Sequence, residues 1–101
     1  ISGQAKCFID RMFSYLKPDF FTNPAPSRLA PGKKCVFITS QGDPNEENHK
    51  DALSVYTGFF EGLFGLENRV IRGIGLHEKE DAARNEDLMK SVADAAVKAL
   101  E

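Results

Sequence analysis

The most constraining feature of this chain is the unbroken apolar run Cys35, Val36, Phe37 and Ile38, inside the segment KKCVFITSQGDPNE at residues 33–46. A half-exposed strand alternates apolar and polar side chains. A continuous apolar run of strand length instead predicts a strand buried on both faces, as in a parallel sheet. Thr39, Ser40, Gln41 and Gly42 follow at its carboxyl end. Beyond them Asp43 reads as a helix cap, Pro44 as a first helical residue and Glu46 as a capping-box partner. Ligands of open parallel α/β sheets bind outside the carboxyl ends of the strands, so the loop after Ile38 is the first place to seek a site.

The rest of the chain alternates helix with strand. Ala5, Phe8, Ile9, Met12, Phe13 and Leu16 recur at helical spacing and predict one amphipathic helix, ended by Pro18. Residues 17–32 form a connection containing Pro18, Pro24, Pro26 and Pro31, with Phe20 and Phe21 expected to pack on the body or on a partner. After the first strand, Ala52, Val55, Tyr56, Phe59, Phe60 and Leu63 give the apolar face of a second helix, with Gly65 placed as its left-handed cap. Gly58 and Gly62 weaken that helix by about 1 kcal/mol each relative to Ala. Val70, Ile71, Ile74 and Leu76 predict a second strand over residues 68–76. Arg69 and Arg72 make it an edge strand. A charged loop over residues 77–84 follows. The last helix is expected from Asn85, with Leu88, Val92, Ala95, Ala96 and Ala99 as its buried stripe.

Composition sets the limits. With 101 residues the chain is one domain at most, and 42% hydrophobic content is enough for a folded core. A net charge of -2 argues against non-specific nucleic-acid binding. No apolar run is long enough to cross a membrane. Cys7 and Cys35 are too few for a disulfide scaffold, so reduced thiols in a cytoplasmic protein are expected. They are also far apart in sequence and lack neighbouring ligands, so no metal site is expected. The chain opens at Ile1 without an initiator Met, which leads us to expect an incomplete domain.

Helix, strand, helix, strand, helix is an α/β order, and it implies parallel strands joined by right-handed crossovers. Two parallel strands make a poor independent core, because each needs covered faces and paired edges. The more apolar first strand should not be an edge. A missing neighbour, from upstream or from another chain, is therefore expected.

The run SGQAKCFIDRM at residues 2–12, followed by GKKCVFITSQGDP and FFEGLFGLENRVIRGIGLHEKEDAARNEDL, resembles flavodoxin-like NAD(P)H-dependent oxidoreductases. That group includes NADPH-dependent FMN reductases, iron–sulfur flavoproteins and quinone reductases. The resemblance covers nearly the whole chain but only the carboxyl-terminal half of the family's doubly wound parallel sheet, whose strand order is 2-1-3-4-5. It implies that residues 1–101 are a single partial domain, lacking the first three strands and the phosphate-binding loop. It implies FMN as cofactor, NAD(P)H as electron donor and a flavin, quinone or similar small-molecule acceptor. Carried onto this chain, Ser2, Gly3 and Gln4 form one flavin-side turn, and Thr39, Ser40, Gln41 and Gly42 the other. Read without the resemblance, Ser2 is a helix cap and Gly42 a turn residue.

His49 and His77 suit a proton donor or a nicotinamide contact, although a solvated surface histidine is the commoner outcome. Gly73-Ile74-Gly75 lacks the third glycine and the helix start of a dinucleotide fingerprint. Asp10 and Arg11 are neighbours and suit the surface or a subunit contact. The competing reading is a non-enzymatic module that completes its sheet through a partner or a homo-oligomer at the unpaired strand edge. A receiver-like domain is disfavoured, because no acidic cluster marks a strand end.

Overall fold

The computed structural model describes residues 1–101. Helix α1 spans Gly3–Arg11 and tightens into a 3-10 turn at Met12–Tyr15. Strand β1 is Lys34–Ser40, α2 is Ser54–Phe64, β2 is Glu67–Gly73, α3 is the single turn Asp81–Arg84, and α4 is Glu86–Leu100. The chain is α/β, and its two strands pair in parallel, from Lys34 opposite Glu67 to Ser40 opposite Gly73.

Local chemistry accounts for the helix ends. The Ser2 hydroxyl accepts from the Ala5 amide at 3.2 Å and starts α1. The Asn85 side chain accepts from the Leu88 amide at 3.0 Å and starts α4, with Glu86 and Asp87 in the first turn. Gly65 closes α2 at φ 66°, the left-handed conformation that glycine adopts without a Cβ penalty.

The core lies between α1, α2 and one face of the sheet. Ile9, Met12 and Leu16 meet Phe60, Phe64 and Leu66, with Phe37 and Phe59 packed around them. Phe60 stands edge-on to Phe64 at 6.0 Å and lies 5.4 Å from Phe37 of β1. On β2 of the same face, Asn68 Nδ2 donates to the Thr57 carbonyl of α2 at 2.8 Å. The opposite face takes α4, where Leu88 approaches Gly73 so closely that an added Cβ would meet it at 3.1 Å. The proline-rich connection is tied down as well. Lys17 N donates to Pro26 O, and Arg28 N to Tyr15 O. Phe20 packs on the core, whereas Phe21 is 90% exposed.

Several expectations need correction. β1 is not buried on both faces: Val36 and Phe37 are half-buried and Ile38 is 59% exposed. The reason is that β1 has only β2 beside it, and α4 covers only part of the second face. No helix starts at Asp43; α2 begins eleven residues later at Ser54, without a side-chain cap. Arg72 holds the Glu46 and Asn48 carbonyls that a helix would need as acceptors, and His49 sits at φ 60°. β2 ends at Gly73, because Gly75 turns left-handed at φ 68° before Leu76. On α1 and α2, Phe8 and Val55 point outward at 67% and 75% exposure, and Ala96 of α4 is exposed.

The glycines of α2 make an opposed pair of tests. Gly58→Ala meets open space inside the helix and should stabilise the protein by up to about 1 kcal/mol. Gly65→Ala places a Cβ on a left-handed residue and should destabilise it by about 1 kcal/mol. Urea denaturation of the two variants against the parent checks both signs. Phe60→Ala should destabilise by about 3–5 kcal/mol, a large share of the stability of a domain of this size.

Candidate site at the strand carboxyl ends

Because the strands are parallel, both carboxyl ends arrive at the same side of the sheet. The chain continues the pairing past the strands themselves. Gln41 N donates to Gly73 O at 2.9 Å, and Leu76 N donates to Gln41 O at 2.9 Å. Gly75 N reaches Asp43 O at 3.3 Å. The two loops are thus held together by main-chain bonds.

Arg72 is the residue that organises this end. Its Nη2 donates to Gln41 Oε1 at 2.8 Å and to Asn48 O at 2.9 Å, and its Nη1 donates to Glu46 O at 3.0 Å. Gln41 completes the arrangement, donating from Nε2 to Asp43 O at 3.0 Å and Asn45 O at 3.1 Å. A planar, permanently charged fork suits several acceptors at fixed angles, which an ammonium cannot match. Asp43 adds a second tie. Its Oδ2 accepts from Asn48 Nδ2 at 2.6 Å and its Oδ1 from Asn45 N at 2.8 Å. The Asn48 bond, then the Asn45 amide, hold its carboxyl below the usual carboxylate range.

Beside this end, along the outer edge of β1, runs an apolar groove of about 710 Å³. Phe8, Phe37, Ile38, Leu53 and Tyr56 contribute to its walls. Thr39, half-buried, Ser40, exposed, and Gln41 line its polar end together with His49, Lys50 and Arg72. Cys35 also lines it, and burial pushes its thiol up.

The expected site residues divide. Thr39, Ser40 and Gln41 come together on one wall. Gly42 sits under His77, whose Nδ1 would lie 3.2 Å from a Cβ at that position. Ser2 caps α1, while Gly3 and Gln4 lie in a separate shallow depression with Cys7 and Arg11. From that end of the chain, Ile1, Ala5, Phe8 and Ile9 reach the groove. His77 is held by its backbone, since its amide and that of Glu78 both donate to Asp81 Oδ2 at 2.8 Å. Those amides, Glu78 first, keep the Asp81 carboxyl below its ordinary range. On sequence alone Arg72 is only a charge on an edge strand. Nothing in the local sequence marks it as the organiser of a loop 24 to 31 positions away.

Two outcomes follow. Arg72→Lys keeps the charge and loses the fork, so amides of residues 43–53 should exchange faster, by the equivalent of about 1–3 kcal/mol, while β1 and β2 amides stay protected. Hydrogen exchange read by mass spectrometry or NMR measures this. The Asp43 contribution should be fully present above its unfolded pKa, about 3.9, and be lost as pH falls through the lower folded value. The Asn45 amide resonance should therefore shift below about pH 4 in the parent, and not in Asp43→Asn.

No family model, no curated protein and no solved structure matches this chain.

Proposed function

We propose that the chain is the carboxyl-terminal half of a flavodoxin-like FMN-dependent oxidoreductase, one that passes electrons from NAD(P)H to a flavin, quinone or similar acceptor. The observation that carries this reading is the conjunction at β1. An apolar strand lies next to its parallel partner, with its other edge open, and a Thr-Ser-Gln-Gly turn at its carboxyl end borders an apolar groove. The resemblance of residues 2–12 and 32–44 to that family supports the same assignment.

The residues fit one part of FMN and not another. The apolar wall of Phe37 and Tyr56, with Thr39 and Ser40 at its end, suits a flat ring with a polar rim. A ribityl phosphate needs a free cradle of amides at a helix start, or an uncommitted guanidinium. Here the Ser2 hydroxyl caps α1 and Arg72 is engaged by three protein oxygens. Thr39, Ser40 and the Gly42 turn would therefore hold the ring edge, and the phosphate would be held by residues outside this chain. When bound, flavin supplies the hydride and electron transfer, and the protein's part is to bind and orient it. The tie from Arg72 to Gln41 fixes the turn, while Gly42 leaves room for the His77 ring.

The purified 101-residue protein should be colourless. Titration with FMN, followed by flavin fluorescence, should show weak binding at most, with Kd above about 0.1 mM, since only the ring has contacts. A stoichiometric yellow chromophore would overturn the reading of the phosphate site. Failure of an FMN-loaded parent, carrying the missing strands, to lose flavin on Thr39→Val/Ser40→Ala substitution would overturn the reading of the turn.

A further inference from the structure

At the polar end of the groove, one residue holds a backbone conformation that its side chain does not favour. His49 sits at φ 60° and is the only residue other than glycine with a positive φ. Histidine tolerates this region better than a β-branched residue does, but glycine would fill it at no steric cost. The main chain imposes the conformation from both sides. Arg72 Nη2 donates to the Asn48 carbonyl at 2.9 Å, and the His49 carbonyl accepts from Ala52 N at 3.0 Å. Strain of this kind persists where the surrounding fold over-determines it, and it collects at ligand clamps. The His49 side chain lines the groove beside nitrogen groups that are already committed. Arg72 is engaged by three oxygens, Lys50 Nζ by Glu47 Oε2 at 2.8 Å, and Gln41 Nε2 by two carbonyls. The imidazole makes no hydrogen bond within the chain, so it is the one side-chain nitrogen group at this end without a partner.

We propose that His49 is the residue that recognises the polar rim of the ligand. Its imidazole N–H donates to a carbonyl oxygen of a flat heteroaromatic ring lying against Phe37 and Tyr56. In the flavin reading, on which this inference rests, that oxygen belongs to the pyrimidine edge of the ring. The chemistry of the end divides the work. The Thr39 and Ser40 hydroxyls both accept and donate, so they can meet a ring N–H, whereas a ring carbonyl needs a donor. His49 supplies a donor that no protein oxygen has taken. Its pinned backbone sets the imidazole at the groove before the ligand arrives, which lowers the cost of ordering it on binding. Glycine would satisfy the turn equally well and remove the donor. The position therefore gives up backbone stability for a contact made only when the groove is filled.

An NMR titration of the 101-residue protein with FMN, read at the Thr39, Ser40 and Gln41 amides, tests the proposal. His49→Gly should leave the urea midpoint where it is or raise it, because glycine relieves the left-handed strain. The same variant should raise the FMN dissociation constant about three- to tenfold, the equivalent of one hydrogen bond. Lys50→Gln removes a charge already paired with Glu47 and should leave binding unchanged. Inorganic phosphate alone should move none of these amides, which separates the ring of FMN from its phosphate. A His49→Gly variant that binds as tightly as the parent overturns the inference and leaves the flavin reading standing. A lowered urea midpoint in that variant also overturns it, because His49 would then serve the fold. Equal losses in His49→Gly and Lys50→Gln, or an equal response to phosphate, would assign the effect to charge and overturn it. Amides that FMN does not move in the parent overturn the flavin reading as well.

Discussion

The parallel pairing of β1 with β2 is the constraint from which the rest of the molecule follows. Parallel neighbours cannot be joined by a tight turn, so the chain must leave the sheet, cross it and return. α2 is that crossing, and its phenylalanines form the core because they are the part of the crossover that faces the strands. The same pairing makes the two carboxyl ends coincide. An antiparallel pair would have put the ends of β1 and β2 at opposite sides of the sheet, and the Gln41–Arg72 bond could not form.

That bond shows how one side chain can set the structure of a whole loop. Residues 43–48 have the local chemistry of a helix start, and the acidic cap is even used: Asp43 accepts from Asn45 and Asn48. Propagation then fails because the guanidinium of Arg72 takes the Glu46 and Asn48 carbonyls. A helix nucleus is worth little before several turns have formed, so two charge-assisted bonds from a fixed strand outweigh it. The outcome is a folded loop at the strand ends, with a polar turn at the head of an apolar groove. In the proposed reading the apolar wall would supply area to a flat, partly polar ligand and the turn would supply direction.

The same constraint leaves a deficit. Two strands give a sheet with an open edge on each side; exposed Arg69 puts a charge on β2, whereas Arg72 is spent on the loop after β1. β1 exposes Ile38 and a groove beside it, which is the kind of surface that proteins cover with another strand.

Much of this was legible in the residues. The apolar run at Cys35, the stripes on α1 and α4, the Asn85 cap and the left-handed Gly65 are written locally, within one or two turns of chain, where backbone propensity and side-chain period act. The α/β order and the parallel sense also follow from spacing alone. The turn Thr39–Ser40–Gln41 could be placed at a strand end, and so beside any pocket there. What the sequence could not determine was which partners the long-range groups would find. Arg72 looked like a solvated edge charge, Gln41 like a ligand contact and Asp43 like a helix cap. Only the tertiary fold brought residues 41–48 within reach of residue 72 and gave each a different task. The physical reason is range: caps and periodicity act over a few residues, whereas a guanidinium meets its acceptors wherever sheet pairing delivers them.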